Sequence, residues 1–347
     1  PWNVKDGEVI DGVTFHPFEP ATSRLKRLFQ IPLRVLPRVF AVRDKVDIVH
    51  FHDIDLLPWM AMVSLRKPVV YDVHENYAHE MLVRDWVPKL LRKPLYHLVR
   101  WGQLCLSLIV RHIVLFAPSQ EPDFSHKRFN RTYIYNYASV ALLDKVASDY
   151  PQRADVVLFI GSQHLNNGSM VLLDIAEETL KRLPDIQFRA TDRFSNAAFR
   201  AEVIEEIQRR GMQDRFTLIP NVKPHELMAV LNQATIGISP NLRVPQQIKG
   251  IHTKVFEYMA AGLPMVISDL PHQVEVVEHS GAGILARPED VSSFVNGIAK
   301  LVEDRQLAAD FGRKGQAWFR ENYSYESQAA NFLAFYGKVL KIERRAA

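Results

Sequence analysis

Short runs rich in valine, isoleucine and phenylalanine alternate along this chain with longer stretches in which apolar residues recur every three or four positions. The first pattern suits strands covered on both faces, and the second suits the helices that cover them. Together they predict an α/β protein with parallel sheets. In the first half, strands are expected at 12–17, 46–52, 68–74, 112–118 and 133–137. Helices are expected at 23–43, 56–65, around 89–110 and at 120–128. The pattern then starts again, with strands expected at 155–161, 186–191, 216–220, 236–240, 264–268 and 283–286, and an almost wholly helical tail over 291–341.

Two such sheets in tandem, joined near 147–153, read as two doubly wound domains. Ligands of these sheets bind beyond the carboxyl ends of the strands, and a cleft between domains is a common place for them. The loops that directly follow strands are therefore the informative ones. Here they carry His52-Asp53, His74-Glu75-Asn76, Thr191-Asp192-Arg193 and Asn221. Histidine at a strand end can cap or pack, and it can also donate to phosphate or titrate near neutral pH.

Length and composition narrow the class. A chain of 347 residues exceeds one typical core, which agrees with two domains. A net charge of +4, most of it in the first half, is too small for a dedicated nucleic-acid binder but suits a lightly basic face against anionic lipid or a phosphorylated ligand. The single cysteine, Cys105, allows neither an internal disulfide nor a cysteine-based metal site. Its apolar neighbours lead one to expect a buried small hydrophobe in a reducing, cytoplasmic setting. The longest apolar stretch, 95–117, is interrupted by His97, Arg100, Gln103, Arg111 and His112, so it does not read as a membrane span. The chain opens Pro1-Trp2 and its first ten residues look like the interior of a domain, as if an N-terminal strand were missing.

The strongest local signal is Thr253-Lys254-Val255-Phe256-Glu257-Tyr258-Met259-Ala260-Ala261-Gly262-Leu263-Pro264-Met265-Val266-Ile267-Ser268-Asp269. Thr253 is expected to cap a helix, Gly262 to stop it and Pro264 to open a strand. A 3.6-residue period puts Phe256, Met259 and Ala260 on the face toward the sheet, with Lys254, Glu257, Tyr258 and Ala261 on the other. Free N-terminal amides plus a lysine suit a diphosphate, and a glutamate suits sugar hydroxyls. Periodicity alone favours a surface helix whose Lys254 and Glu257 merely face water.

This segment resembles the signature of family 4 glycosyltransferases, which are metal-independent retaining enzymes of GT-B fold. The resemblance extends through 272–277, through Gly281-Ala282-Gly283-Ile284-Leu285 with Pro288, and into the tail near Tyr336. In the first half Asp47-Ile48-Val49-His50-Phe51-His52-Asp53, Val70-Tyr71-Asp72-Val73-His74-Glu75, Trp86-Val87-Pro88-Lys89-Leu90-Leu91 and Pro94-Leu95 resemble it too. It implies two Rossmann-like domains facing across a cleft: an acceptor-side domain over 1–148, a nucleotide-sugar domain over 149–324 and a helix over 325–347 packing back toward the first.

The resemblance implies transfer of a sugar from a nucleoside-diphosphate sugar to a cell-envelope glycan or lipid-linked acceptor, with no cofactor, no metal and no nucleic acid. Donor binding would involve Gly161, Ser162, Asp192, Arg193, Asn221, Thr253, Lys254 and Glu257. His74 and Glu257 would be the catalytic pair, with His52, Asp53 and Glu75 on the acceptor side. Three features depart from the family. Lys249 stands where the first of two glutamates is usual, and Ser162 and Asn167 stand where basic residues are usual. The glycine-rich loop that opens the first domain of relatives is absent. Phosphate charge would fall to Lys254, Lys249, Arg193 or Arg243. Asp53 and Asp55 read as a helix cap with its neighbour rather than a metal pair.

The 24–45 segment carries seven basic residues and one acid among apolar ones, broken by Pro32 and Pro37. It suits peripheral contact with an anionic inner membrane face, and equally a helix covering a sheet. The alternatives to an active transferase are a non-catalytic GT-B protein that binds nucleotide or glycan, and a sugar-nucleotide epimerase.

Overall fold

The computed structural model describes residues 4–346 apart from 11, 20–22, 84–86, 117, 136, 138, 142–154, 195, 224–225 and 250–251. The chain divides into two compact units. The first comprises 1–116, 120–133 and 335–347, and the second comprises 117–119 and 134–334.

The first unit begins with an antiparallel hairpin, β1 (Val9–Ile10) and β2 (Val13–Thr14). A strand of the parallel sheet was expected at 12–17. The hairpin lies outside that sheet: its four strand residues are exposed and form a two-stranded sheet of their own. Next comes an unbroken helical stretch: α1 (Arg24–Gln30), a π-helical turn over Ile31–Val35, then α2 (Leu36–Val42). Pro32 and Pro37 fall where it divides into these short pieces, as expected, although the pieces follow one another without a gap. Each falls in the first two residues of a new helical piece, where a missing N–H costs least.

The sheet of this unit has the order β3 (Val49–Phe51), β4 (Val69–Val73), β5 (His112–Leu115), β6 (Asn130–Tyr133), all parallel. The last strand starts three residues earlier than the expected 133–137, because Asn130 pairs with His112 and its N–H donates to Arg111 O. Helices α3 (Leu57–Val63), α4 (Tyr77–Val83) and α5 (Arg92–Val110) connect the strands. Leu57, Met60, Tyr71, Ile113 and Leu115 are fully buried in this unit's core. Cys105 is exposed, which corrects the expectation of a buried hydrophobe. The buried residues of α5 are Ser107 and Val110, and position 105 lies off that stripe.

The second unit holds six described strands, β7 (Val156–Phe159), β8 (Gln187–Thr191), β9 (Phe216–Ile219), β10 (Ile236–Ser239), β11 (Met265–Ser268) and β12 (Gly283–Ala286). All pair in parallel, in the order β12-β11-β10-β7-β8-β9. The order runs outward in both directions from the β7/β10 pair, the arrangement that opens a crevice at the carboxyl ends of those two strands. The helices are α6 (Ser169–Arg182), α7 (Ala197–Arg209), α8 (Leu227–Leu231), α9 (Pro245–Lys249), α10 (Thr253–Ala260), α11 (Pro271–Ser280), α12 (Val291–Glu303), α13 (Arg305–Trp318) and α14 (Tyr325–Ala346). Residues of α14 from Phe335 onward cluster with the first unit. Two apolar clusters fill the second unit: one joins β7, β8 and β9 to α6, α7 and α12, and the other centres on α10.

Among the described residues no helix is long and apolar enough to cross a membrane.

Candidate functional site

The crevice at the ends of β7 and β10 is built by close approach. Gly161, just after β7, has φ +105°, and a Cβ there would lie 3.5 Å from Cε of Lys254. Gly168, which starts α6, has φ +78°, and a Cβ there would lie 1.8 Å from the carbonyl oxygen of Pro240, just beyond β10. Glycine is required at both places, by conformation and at Gly168 also by space.

Side chains then tie the loops together. Asn167 Nδ2 donates to Ser162 O at 2.7 Å, and Asn167 Oδ1 accepts from Gln247 Nε2 at 2.9 Å. Gln247 Oε1 accepts from Asn241 Nδ2 at 2.7 Å, and His252 Nε2 lies 3.1 Å from Gln247 O. The β7 loop, the β10 loop, α9 and the start of α10 are thus one hydrogen-bonded frame. Asn167 is its central link. Gln247 and Asn241 went unremarked in the sequence, because an amide that links loops has no periodicity.

Lys254 is the unusual group. Its side chain is buried, Nζ has no hydrogen-bond partner, and Nζ lies 3.8 Å from the centroid of the Phe159 ring. Burial pushes its ammonium down to about 7, opposed by the charge of Glu257. Burial also pushes the Glu257 carboxyl up, opposed by Lys254.

The two-faced helix expected here is corrected. In α10 Lys254, Val255, Phe256, Tyr258, Met259 and Ala260 are all buried, since the β10 and β11 sheet lies on one side and α13 with the turn over Phe319–Tyr323 on the other. Tyr258, expected outward, is fully buried. Its hydroxyl accepts from Ile160 N at 3.1 Å and lies 3.0 Å from Leu158 O and 3.1 Å from Ile238 O. Thr253 is the first helical residue and is exposed, and the cap position belongs to His252, so the expected Thr253 cap is not made.

The other donor-side candidates lie further along the sheet. Asp192 follows β8 and is held by Arg200, Nε to Oδ1 at 2.7 Å and Nη2 to Oδ2 at 2.6 Å, which lowers its carboxyl. Arg193 is exposed and its carbonyl accepts from Gln163 N at 2.7 Å. Asn221 follows the edge strand β9, two strands or about 10 Å from β7. Arg243 is engaged by Asp269, through its carbonyl at 3.0 Å and Oδ1 at 2.5 Å. Position 249 ends α9, and its side chain lies outside the described residues. Of the cations considered for phosphate whose side chains are described, Lys254 is therefore the one both buried and without a hydrogen-bond partner.

In the first unit a second constellation forms where β3 and β4 end. His50 and His52 alternate along one strand, Asp72 and His74 along the next, and the register His50↔Val70 and Phe51↔Tyr71 sets all four on one face. Asp72 is buried, with Oδ2 3.2 Å from His50 Nε2, 3.4 Å from His52 Nδ1 and 3.3 Å from His74 Nε2. Burial lowers His52, opposed by the charge of Asp72. The loop beyond β4 is pinned by Gln120, which accepts from Phe116 N at 3.0 Å and donates to Val73 O at 2.8 Å. Glu75 is exposed beside this cluster.

Asp53 corrects another expectation. It occupies the cap position before a 3₁₀ turn over Ile54–Leu56 but makes no cap hydrogen bond. Its Oδ2 instead pairs with Arg27 Nη2 at 2.8 Å, while Arg27 Nε meets Asp55 Oδ2 at 2.6 Å. The paired guanidinium outcompetes an amide for both carboxylates.

Residues 144–318 match the family model described as glycosyl transferases group 1. The chain is 21% identical over 317 residues to a GDP-mannose:cellobiosyl-diphosphopolyprenol alpha-mannosyltransferase of Xanthomonas campestris, covering 89% of this chain and 79% of that one. It is 22% identical over 268 residues to a phosphatidyl-myo-inositol mannosyltransferase of Mycolicibacterium smegmatis, covering 76% and 64% respectively. Among solved structures, sucrose-phosphate synthase from Thermosynechococcus elongatus superposes with a TM-score of 0.69 at 14% identity, over 93% of this chain and 81% of that one. Anabaena Alr3699/HepE in complex with UDP and glucose superposes with a TM-score of 0.67 at 17% identity, over 91% and 84%.

Proposed function

We propose, from the premise that this chain belongs to the glycosyl transferases group 1 family and has the GT-B fold, that it moves mannose from GDP-mannose onto a lipid-linked glycan, with no metal ion at the diphosphate. That it is a glycosyltransferase of the hexosyl class follows from the family and the relatives. The choice of GDP-mannose and of a lipid-linked acceptor is supported by the printed activities of the two mannosyltransferases above.

The observation that carries the donor site is the buried, unpartnered Nζ of Lys254 beside Gly161. Breaking the bond between sugar and diphosphate leaves negative charge on the phosphate, and preorganised donors at that charge lower the barrier. Lys254 and the first-turn amides of α10 supply them without a metal. Glu257, one turn on, takes hydroxyls of the ribose or the sugar. Gly161 lets the diphosphate come close to the backbone, and Ser162 and Thr253 border it. An α-mannoside made from GDP-α-mannose retains its anomeric configuration, and retention is part of this reading.

The acceptor belongs to the first unit, where His74 touches the reacting hydroxyl or sugar and His52, Asp53 and Glu75 border it. The same unit supports contact with the inner membrane face. Phe29, Leu33, Leu90, Leu98 and Trp101 are exposed, and Lys26, Arg34, Arg38, Lys89 and Lys93 are exposed among them.

Calorimetric titration of the full chain with GDP, UDP and ADP tests the donor reading. GDP should bind in the micromolar range and Lys254→Ala should abolish it. Binding of UDP in preference to GDP would overturn the choice of donor. If no nucleotide binds, the donor site itself is wrong and a non-catalytic glycan-binding role takes its place.

A further inference from the structure

We propose that Tyr336 and His50 are positioning residues for the transfer: the Tyr336 hydroxyl fixes His50, His50 fixes the carboxylate of Asp72, and Asp72 fixes the imidazole of His74. The inference rests on the acceptor-side role given to His74 above and names the part of the chain that holds that ring in place.

The contacts are continuous within the first unit. Phe335 and Val339, one turn apart, are buried and anchor the end of α14 there. Tyr336 stands next to Phe335, and its hydroxyl is hydrogen-bonded to His50 Nδ1. The other nitrogen of the same ring, Nε2, lies 3.2 Å from Asp72 Oδ2 with hydrogen-bond geometry. A carboxylate only accepts, so Nε2 carries the proton of this bond. Nδ1 of that tautomer is an acceptor, and the Tyr336 hydroxyl donates to it. Each bond thus selects the tautomer that the other needs.

Asp72 carries the constraint onward. One carboxylate oxygen offers about two lone-pair directions. The bond from His50 takes one and leaves the second to His52 Nδ1 and His74 Nε2, which lie 3.4 and 3.3 Å from Oδ2. The His74 ring is bracketed by two others, with centroids 4.8 Å from His52 and 6.4 Å from Phe116. Asp72 is buried, whereas the His74 side chain is 36% exposed, so the carboxylate reaches a substrate through the imidazole and not directly. With Nε2–H turned to Asp72, His74 keeps Nδ1 as an acceptor for a sugar hydroxyl. Loss of the Tyr336 hydroxyl frees His50 to take its other tautomer, which turns a lone pair toward the carboxylate. Asp72 then loses its fixed donor, and His74 loses its fixed partner.

The test is nitrogen-15 NMR of the full chain labelled at histidine, at pH 8, with signals assigned from His50→Gln and His74→Gln. In the unaltered chain both rings should show the Nε2–H tautomer. Tyr336→Phe, which keeps the ring and removes the hydroxyl, should move the signals of His50 and of His74. Tyr325→Phe, at an exposed tyrosine of the same helix, should move neither. Initial rates with GDP-mannose and a short-chain cellobiosyl-diphosphoprenol, the acceptor class of the Xanthomonas relative, give a second readout. Tyr336→Phe and His50→Ala should each lower kcat about ten- to hundredfold with the KM for GDP-mannose unchanged. The double variant should be no slower than His50→Ala alone, because the two residues act in one line. A His74 signal that stays in place in Tyr336→Phe overturns the proposal, and so do losses in kcat that add across the two variants. An unaltered chain that transfers nothing to this acceptor overturns the choice of acceptor instead, and the His74 signal still decides the positioning role.

Discussion

Nζ of Lys254 sits 3.8 Å from the centroid of the Phe159 ring, buried at the end of the central strand β7 with no hydrogen-bond partner. A buried, unsatisfied ammonium is destabilising, so function and stability pull in opposite directions at this residue. Lys254→Met should therefore raise the unfolding free energy near neutral pH by about 1–3 kcal/mol while lowering kcat/KM by about 10²–10³-fold. Denaturant unfolding and initial rates check the two halves. A variant that is both less stable and fully active would contradict the assignment.

The same residue fixes the pH dependence of stability. Its pKa is depressed to about 7 in the folded chain and is ordinary, near 10.5, in the unfolded one. Between those values the unfolded chain binds the extra proton, so stability rises with pH there, at up to about 1.4 kcal/mol per unit. The advantage of Lys254→Met should shrink accordingly as pH goes from 7 toward 10. Unfolding curves of both proteins at three pH values in that window show whether the gap closes.

A diphosphate beside Lys254 restores its charge. Above pH 7 donor binding should then take up a proton. Calorimetry of GDP at pH 8, in two buffers of different ionisation heat, reads the uptake directly. Equal heats in both buffers would place the phosphates elsewhere.

The hydroxyl of Tyr258 links β7 to β10 through Ile160 N and the carbonyls of Leu158 and Ile238. Tyr258→Phe keeps the ring but leaves the buried Ile160 amide without its acceptor. The expected loss is about 1–3 kcal/mol, measured by thermal or urea unfolding. A loss below about 0.5 kcal/mol, the lower bound for a typical hydrogen bond, would mean the link is dispensable.

Acid should weaken both units. Burial pushes His112 and His252 down to about 4. Each stays neutral in the fold while its unfolded counterpart, near 6.5, takes a proton. Their stability is therefore present above about pH 6.5 and is lost as pH falls toward 4. His252→Gln should flatten that slope in the second unit, and unfolding free energies at pH 7, 5.5 and 4.5 test it.

Much of this was readable before the structure. All six strands of the second unit were placed to within two residues, because parallel strands buried on both faces read as continuous apolar runs. The Lys254–Glu257 pair was singled out by the resemblance of its segment to the family signature, because period alone also described a surface helix. What the sequence hid has physical causes. Tyr258 is amphipathic, so period alone cannot say that its hydroxyl finds three backbone partners inside. Asp53 looked like a cap because short-range signals dominate reading along a chain, whereas Arg27 reaches it from 26 positions away. His50 and Asp72 were overlooked, although a signal existed. Histidine at 50 and 52 and aspartate and histidine at 72 and 74 share the period of two, and neighbouring strands in register bring such pairs together.

Phe335–Ala347 cluster with the sheet β3–β6, although the whole second unit lies between them in sequence. As the chain leaves the ribosome, that sheet emerges before the sheet of the second unit, yet His50 waits for Tyr336 until the second unit has been made. Of the two parallel sheets, the one synthesised first is thus the one completed last. A nascent chain halted after β6 should hold those strands without the helix that completes them, and a single break anywhere between Tyr133 and Phe335 leaves His50 and Tyr336 on separate pieces of chain, joined only by non-covalent contacts.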